Sequence, residues 1–475
     1  MRMGTAPIGR LMLEFAIPAV VSVVFNALYN VIDSVFLGQA MGEVGLAATT
    51  VAAPIMTVSM ALSTLPGMGG NSLAAILLGE GKHKEAERVL GNTVTIMVII
   101  SIVVAIIATF WIDPLLIMVG ATDVTLPYAR LFVRIILYGC LITNISFGVN
   151  NFIRTAGAPN LALWTIVIGT AVCILLNYVF VMLFGWGVAG SASATIIGQG
   201  VTAVIILWYF IAKRSHAPFK LHARNLPLDF GLSRRLLALG LAPFALQAAM
   251  AVTQVVGNMV LAAVGAGDPI GVDGTMASIG VVFKITGLIT FPGIGIAMAA
   301  QPMLGFNTGA RKYRRVLKTL YVALGSATVI LLILFAIIHI FPTQLVGLFG
   351  VEDDLMDFGV WALQVQTALI PFIAIQMIGS NYFQATGQPL KATILSLTRQ
   401  LIFVIPLYLS CPVFMPMLFS ELTPLMGFSF TFPIADTLSI VLCGGFLIAE
   451  IRKLHRKIDE TERDAETNET SGERD

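Results

Sequence analysis

An acidic side chain, Asp33, lies inside the first long apolar stretch of the chain. Polar residues share its helical face or sit beside it, namely Asn26, Tyr29 and Asn30. A charge at the centre of a membrane costs about 2.5–3.5 kcal/mol on insertion scales, so Asp33 needs a partner or a function. We therefore predict that this stripe lines a cavity or a helix interface, where the carboxyl group can take up and release a proton.

The other reactive side chains form no recognisable catalytic or metal-binding pattern. The four cysteines, Cys140, Cys173, Cys411 and Cys443, lack metal-type spacing and are typical of small packing residues. The sequence contains no H-E-x-x-H, G-x-S-x-G or P-loop motif. We expect a protein that is not an enzyme, has no cofactor and no resident metal, and does not bind nucleic acid.

The elements that must position Asp33 are membrane helices. The chain is 57% hydrophobic and 11% charged, whereas soluble chains carry about 25% charged residues. A helix needs about 20 apolar residues to cross a bilayer. The sequence predicts an all-α integral membrane protein embedded in a lipid bilayer, with twelve segments near 11–38, 46–78, 89–112, 127–149, 160–184, 189–212, 236–264, 274–304, 316–341, 358–381, 390–410 and 430–450.

Basic residues occur in alternate connections between these segments. Six connections contain no Lys or Arg, whereas each connection between them, and the stretch after the last helix, has at least one basic residue within it or at its edge. By the positive-inside rule, this places both termini in the cytoplasm, and we expect a multi-pass protein of the inner (cytoplasmic) cell membrane.

The two halves of the chain repeat each other. TLPGMGG at 64–70 matches TFPGIGI at 290–296, and TAGAP at 155–159 matches ATGQP at 385–389. These and other matches keep one order and an offset of 225–230 residues. Six helices in each half imply a parallel repeat, related by a pseudo-two-fold axis along the membrane normal.

The repeat sets the predicted domain boundaries. We predict an N-lobe over 1–212, a basic cytoplasmic linker over 213–235, a C-lobe over 236–457 and a disordered acidic tail over 458–475. Two similar lobes around a central cavity favour transport by alternating access, and we see no filter-forming sequence of a channel. We expect the protein to function as a monomer, since one chain supplies both lobes.

The repeat also identifies the C-lobe counterpart of the polar stripe. At an offset of 225 residues, Asp33 corresponds to Asn258 and Ser22 corresponds to Gln247. The seventh helix keeps Gln247, Gln254 and Asn258 as candidate cavity residues but has no acid at the position of Asp33. We hypothesise that ion coupling belongs to the N-lobe and that the C-lobe stripe is passive.

Other polar residues inside the apolar segments are weaker candidates. Gln199 and Asn144 could form hydrogen bonds to a substrate. Asp436 and Arg399, in the last two segments, could be structural charges or part of a C-lobe cavity. Neither pattern distinguishes a cavity from ordinary helix packing.

Several motifs resemble one family of transporters. They are FNALYNVIDSVFLGQ at 25–39, NNFIRTAGAPNLA at 150–162, GWGVAGSASATIIGQG at 185–200 and SLTRQLIFVIPL at 396–407. Over about residues 8–450 the chain resembles the multidrug and toxic compound extrusion (MATE) family, and the last motif is similar to its bacterial MepA-like branch. The resemblance implies export of cationic, often aromatic, drugs and toxins in exchange for protons or sodium ions.

The resemblance also implies where the coupling ion binds. Many members of the family have an Asn and an Asp in the fifth helix, at positions that look like Cys173 and Asn177 here. The acidic partner of Asp33 is therefore missing, although Thr195 matches a hydroxyl position of that site. Sodium favours oxygen ligands with negative charge, so this departure favours protons. A basic residue that the family often has in the eighth helix corresponds to Lys284.

Two other functions remain open. A lipid-linked oligosaccharide flippase of the same superfamily should line its cavity with several cationic residues, and the sequence offers Lys284 and Arg134. A non-transporting membrane scaffold would need neither the repeat nor an acidic residue within an apolar helix. We expect a small, drug-like substrate.

Overall fold

The computed structural model describes residues 2–119, 121, 123–212, 217–347 and 353–472. Within its helices, side chains are not described at positions 28–31, 34, 42–44, 46–47, 50, 273, 277, 353–355, 461–462 and 464–472. The described residues form helices and their connections, without a strand. This confirms the predicted all-α class.

In the described part of the N-lobe, the α-helices are α1 (Ile8–Gly79), α2 (His83–Phe110), α3 (Ile112–Met118), α4 (Leu126–Tyr138), α5 (Cys140–Asn144), α6 (Asn150–Thr155), α7 (Pro159–Asn177) and α8 (Gly187–Ile211). The C-lobe follows with α9 (Phe230–Gly265), α10 (Gly271–Gly309), α11 (Tyr313–Ile340), α12 (Pro342–Gly347), α13 (Asp353–Gln366), α14 (Ile370–Ala385), α15 (Pro389–Leu397), α16 (Ile405–Leu418), α17 (Pro424–Ser429) and α18 (Thr431–Gly472).

Helix α1 contains the first two membrane spans, Ile8–Ala27 and Val51–Gly79. A straight helix of its 72 residues would be about 108 Å long. Yet Gly4 and Gly79, just before and at the end of α1, lie against the same residue, Phe306. The chain therefore reverses within α1 and returns to the face where it began.

Two membrane spans are bent at equivalent places in the repeat. Leu126–Tyr138 and Cys140–Thr155 meet at 58°, and Met356–Gln366 and Ile370–Ala385 meet at 48°. Ten other helical stretches among the described residues, two of them within α1, are long and apolar enough to cross a membrane, which gives twelve spans if each bent pair counts as one. At the first bend, a Cβ atom on Gly139 would lie 2.3 Å from Ile196, so only glycine allows α8 to pack so closely.

Wider π-type turns interrupt the same span of each lobe. In the N-lobe this turn is Tyr178–Leu183, directly after α7, and in the C-lobe it is Thr398–Val404, directly after α15. Such turns change the direction in which the following side chains point and are frequent at functional sites. Both lie beside the polar residues described below.

The lobes meet where α1 crosses α9 and α10. A Cβ atom on Gly79 would lie 1.9 Å from the Phe306 carbonyl oxygen, and one on Gly309 would lie 1.9 Å from that of Ile76. The equivalent members of the two contacts, 79 with 309 and 76 with 306, are each 230 positions apart, the offset of the repeat. We call this pseudo-symmetric contact the glycine crossing, and the side of the molecule that carries it the terminal face.

Polar side chains reinforce the lobe interface beside the glycine crossing. Asn71 donates to Gln301 Oε1 (3.3 Å), and Gln301 donates in turn to the hydroxyl of Ser72 (2.9 Å). Thr155 donates to Asn71 Oδ1 (2.6 Å). All four side chains are buried, so the lobes are closed against each other at this level.

The outer surface of the bundle is apolar. Large hydrophobic side chains are exposed on many helices, among them Phe110, Trp164, Leu175, Trp208, Met417 and Val441. In water such a surface would be an aggregation hazard, but in a bilayer it contacts the lipid chains. The four cysteines, Cys140, Cys173, Cys411 and Cys443, are buried, and none of them forms a disulfide bond within the described residues.

Helix α18 continues beyond the membrane span to Gly472. The structure thus places helical backbone over most of the 458–475 segment, for which the sequence predicts disorder. Charged residues at helical spacing, such as Arg456 and Glu460 with 3.6 Å between their charged atoms, give local support to the extension. Residues 473–475 lie outside the described part.

Candidate ion and substrate site

Three helices of the N-lobe converge on Asp33. The Oδ1 atom of Asp33, on α1, accepts a hydrogen bond from Asn177 Nδ2 on α7 (2.8 Å) and another from Ser191 Oγ on α8 (2.6 Å). In the described part of the chain, Asp33 forms no ion pair with a Lys, Arg or His side chain. Two neutral donors therefore hold a carboxyl group that has no fixed counter-charge.

Asn177 supplies a second oxygen at this place. It is the last residue of α7, before the π-type turn, and it is almost fully buried. Its amide nitrogen is used by Asp33, but its Oδ1 atom has no hydrogen-bond donor among the described groups. A buried acceptor without a donor is unfavourable unless a proton donor or a cation reaches it.

Thr195 and Cys173 lie close to this centre. The Thr195 hydroxyl donates to the backbone carbonyl of Ser191 (2.9 Å), and the Cys173 thiol lies 3.9 Å from the same hydroxyl. Thr195 thus sits one helical turn beyond the residue that contacts Asp33. The structure therefore gathers Asp33, Asn177 and Thr195 in one region of the N-lobe.

The remaining N-lobe candidates differ in their surroundings. Asn26 is half-buried on α1, while the side chains of Tyr29 and Asn30 lie outside the described part. Gln199 is half-buried, and its Oε1 atom accepts from the Ser146 hydroxyl (2.5 Å).

Asn144 does not line a cavity. It is fully buried and donates to the Ser101 hydroxyl (2.9 Å), so the proposed contact with a substrate is corrected to helix packing. The Ser63 hydroxyl also donates to Asn144, at its Oδ1 atom.

The C-lobe candidates are more exposed than those of the N-lobe centre. Gln247 is half-buried, whereas Gln254, Asn258 and Lys284 are exposed. These residues lie on α9 and α10, on the parts of both helices remote from the glycine crossing. A polar side chain that is exposed within a membrane span must face a water-filled space or the lipid, and the former is far less costly.

An ion pair occupies the interior of the C-lobe. Arg399, in the π-type turn after α15, places both Nε and Nη2 2.8 Å from Asp436 Oδ1 on α18. The Asp436 side chain is 2% exposed and that of Arg399 is 19% exposed. This carboxylate, unlike Asp33, has a cationic partner built into the chain, which indicates a structural role for the pair.

Ser191 is the contact that the sequence did not suggest. It lies in the run GSASAT, in which a small hydroxyl side chain is typical of close helix packing. The one feature of the sequence that could have pointed to Ser191 as a site residue was its position one helical turn before Thr195. No group of three or more His, Cys, Asp or Glu side chains in the described residues could hold a metal ion.

A crevice of about 620 Å³ lies away from this centre, at the C-lobe end opposite the terminal face. It runs between α9 and α16, and its lining includes Val264, Asp268, Pro412 and Met417. None of the predicted site residues lines it. The chemistry of the described residues therefore centres on Asp33 and not on this crevice.

Comparison with known proteins identifies the family. The MatE family model matches residues 18–179 and 247–409, one match in each lobe. The Multidrug export protein MepA of Staphylococcus aureus (strain MSSA476) is 22% identical over 415 residues, which cover 86% of this chain and 88% of that protein. MepA of Staphylococcus haemolyticus (strain JCSC1435) is also 22% identical, over 397 residues, with 83% and 85% covered.

Solved structures of such transporters share the fold. The MATE multidrug transporter DinF-BH, solved in complex with a ligand, is 32% identical with a TM-score of 0.84, covering 94% of this chain and 96% of that one. A multidrug resistance MATE family transporter in an outward-facing conformation is 22% identical with a TM-score of 0.87, covering 96% and 98%. The chain is therefore a member of the MatE family of multidrug and toxic compound extrusion transporters.

Proposed function

We propose that this protein is a proton-coupled antiporter that exports cationic or amphipathic drugs and toxins, with Asp33 as the group that binds the coupling proton. The observation that carries the proposal is the state of Asp33, which is held by two neutral donors and has no cationic partner in the described structure. Such a carboxyl group can alternate between a charged and a neutral form without breaking an ion pair.

The choice of ion rests on the ligands around Asp33. Asn177 Oδ1 is a buried oxygen without a donor among the described groups, and the Thr195 hydroxyl lies nearby, on the next turn of α8. One carboxylate with two neutral oxygens gives little negative charge for sodium. A proton needs only the carboxyl group and one acceptor, so we favour protons.

Alternating access is supported by the contrast between the two ends of the lobes. They pack closely at the glycine crossing on the terminal face, whereas Gln254, Asn258 and Lys284, remote from it, stay exposed. If the terminal face is cytoplasmic, as the positive-inside rule predicts, this is a state open to the outside. Rocking of the lobes about their shared axis would open the other side.

The proposed class of substrate is inferred from the names of the relatives and from the few cationic side chains near the polar stripes. MepA is named a multidrug export protein, and DinF-BH is named a multidrug transporter. Of the two cationic candidates, Lys284 is exposed near the C-lobe stripe, whereas Arg134 on α4 is half-buried. Arg130 on the same helix pairs with Asp113 at 2.6 Å. A space with so few cations fits a cationic or neutral drug better than the anionic head group of a lipid-linked sugar.

The test is dye efflux from proteoliposomes under a proton gradient and, separately, a sodium gradient. We use ethidium as the probe and compare the natural protein with Asp33→Asn. Efflux by the natural protein should follow the proton gradient, and Asp33→Asn should lose that response. The matched control is Asp113→Asn, because this exposed ion pair is worth at most about 1 kcal/mol and should leave efflux unchanged.

Other outcomes would overturn parts of the proposal. Efflux driven by sodium alone would mean that Asn177 and Thr195 complete a cation site with Asp33. Full activity of Asp33→Asn under the proton gradient would make Asp33 structural. If the natural protein moves no dye but does move a lipid-linked oligosaccharide, the flippase function replaces export.

A further inference from the structure

Two short segments cross between the lobes on the terminal face. The first, which we call the N-arm, comprises residues 2–7 and leads into α1 of the N-lobe. The second, the linker arm, comprises residues 217–229 and leads into α9 of the C-lobe. Each arm therefore precedes the first helix of one lobe, and each is docked against the other lobe.

The N-arm is fastened by side chains of the C-lobe. Arg315 Nη2 donates to the carbonyl oxygens of Met3 (3.0 Å) and Ala6 (2.7 Å), and Lys312 Nζ donates to that of Gly4 (2.9 Å). Asn307 also donates to the Met3 carbonyl (3.2 Å) and accepts from Arg315 Nε (3.2 Å).

The Met3 side chain is 2% exposed, so the N-arm is packed into the protein and does not lie loosely on its surface. The N-arm contributes backbone carbonyl oxygens, which any sequence would supply. The C-lobe contributes the donors, most of which are cationic side chains. The specificity of the contact therefore lies in the C-lobe residues.

The linker arm is fastened in the same way by the N-lobe. Thr95 Oγ1 donates to the Leu226 carbonyl (2.7 Å). In the orientation that satisfies both of its groups, the Asn92 amide donates to the Pro227 carbonyl (2.9 Å) and accepts from the Asp229 amide (3.1 Å). A Cβ atom on Gly91 would lie 2.0 Å from the Asn225 carbonyl, so only glycine lets this arm lie against α2.

The two dockings are related by the pseudo-two-fold axis. The N-arm docks at the turn between α10 and α11, and the linker arm docks along the first turns of α2, which is the repeat equivalent of α11. Arg315 begins the sequence RVL at 315–317, which matches RVL at 88–90. Each lobe thus holds the arm that leads into the other lobe by equivalent helices, although the side chains that do so, Arg315 in one lobe and Asn92 and Thr95 in the other, are not repeat equivalents.

We propose that the two arms form a reciprocal latch, which holds the lobes together on the terminal face and sets how often that face opens. The proposal rests on the alternating access proposed above. When the lobes separate at the glycine crossing, each arm must leave its dock or be stretched, because it is covalently joined to a helix of the opposite lobe. The latch therefore opposes opening, with a strength given by its hydrogen bonds.

The Arg315 side chain is the strongest single fastening. It makes three hydrogen bonds from a cationic group, two of them to the N-arm and one to Asn307. Hydrogen bonds of charged groups are the stronger ones, and one such bond changes an equilibrium by about tenfold or more. Removal of Arg315 should therefore shift the lobes toward the state that is open on the terminal face.

The experiment measures the distance between the lobes directly, without transport. Spin labels are attached at Lys84→Cys on α2 and Lys318→Cys on α11, both exposed on the terminal face. The four natural cysteines are buried, so they compete little for the label. Pulsed electron spin resonance on the full-length protein in lipid nanodiscs then gives the populations of short and long distances.

We expect one short distance in the natural background and an increase of about tenfold in the ratio of long to short distances for Arg315→Ala. The matched control is Arg88→Ala, which removes the repeat-equivalent, exposed arginine and should leave the ratio unchanged. A second variant, in which the chain begins at residue 8, removes the N-arm from the other side. Combined with Arg315→Ala it should add little, because both changes break the same contact.

Two results would overturn the latch. The first is a ratio that is the same in Arg315→Ala, in the variant without the N-arm and in the natural background, while ethidium still shifts the distances in all three. The second is full additivity of the two variants. If no condition, including ethidium or a change of pH, alters the distances in any variant, alternating access itself has failed, and the latch fails with it.

Discussion

Each lobe holds a carboxylate near its π-type turn, but the two carboxylates have partners of opposite kinds, neutral donors in one lobe and a cation in the other. In the N-lobe, Asp33 receives hydrogen bonds from Asn177 and Ser191 and has no cationic partner in the described structure. In the C-lobe, Asp436 is bound by Arg399 at 2.8 Å and is 2% exposed. The C-lobe carboxylate has a cation of the chain as its partner, whereas the hydrogen bonds to Asp33 come from neutral donors.

This difference teaches how a duplicated fold can become asymmetric. Both centres lie beside a π-type turn, Tyr178–Leu183 in one lobe and Thr398–Val404 in the other. The two carboxylates are nevertheless not repeat equivalents, because Asp33 corresponds to Asn258 and not to Asp436, so each lobe has built its polar centre from different helices. A guanidinium group fixes the charge of its carboxylate permanently, while neutral donors leave the charge free to change.

The largest test of this comparison is to remove the fixed cation. Arg399→Gln should destabilise the protein by about 3–5 kcal/mol, because it leaves the Asp436 carboxylate buried without a partner. The loss should appear as a lower midpoint of thermal unfolding in detergent. The double variant Arg399→Gln, Asp436→Asn should recover most of that midpoint, and a failure to recover would show that the pair is not the reason.

A smaller change loosens the N-lobe centre without removing its charge. Ser191→Ala deletes one of the two donors to Asp33, and a hydrogen bond to a charged group is worth about 1.5–3 kcal/mol. We expect the initial rate of proton-driven ethidium efflux to fall at least about tenfold, with little change in thermal stability. Ser191→Thr keeps the hydroxyl and is the control; equal loss in both variants would point to packing instead.

The smallest effect is expected in the passive stripe of the C-lobe. Lys284→Ala removes an exposed cation from α10. The half-saturating concentration of a cationic dye should fall by about two- to threefold, because a like charge near the cavity weakens its binding by less than about 1 kcal/mol. The response to the proton gradient should stay the same. A lost proton response would place part of the coupling in the C-lobe and weaken the comparison.

Much of the architecture could be predicted because the length and apolar composition of a segment identify it as a membrane helix. The twelve segments, the repeat and the polar stripe around Asp33 all follow from one-dimensional patterns, and the all-α, two-lobed fold is confirmed. The bend at Gly139 was not predicted, since a break inside a continuous apolar stretch leaves little trace in composition. The helical course of α18 to Gly472 was missed for a related reason, because its support comes from charge pairs at helical spacing.

The site was harder to predict because it depends on which helices face one another. Asn177 and Thr195 entered through resemblance to a family, and the structure brings them to Asp33. Ser191 was missed because a serine in a run of small residues is ordinarily a packing residue. Arg399 and Asp436 are 37 positions apart on separate helices, and no sequence pattern fixes the register in which two such helices meet.

The glycine crossing also means that one small substitution can keep the lobes from packing together on the terminal face. A single methyl group at Gly309 would sit 1.9 Å from the Ile76 carbonyl oxygen, inside the volume that the neighbouring backbone already fills. Gly309→Ala would thus act as a wedge between the lobes, and Gly79→Ala would do the same from the opposite helix. Such a wedged protein would be a source of the conformer that is open on the terminal face, for inhibitors or antibodies selected against that shape alone.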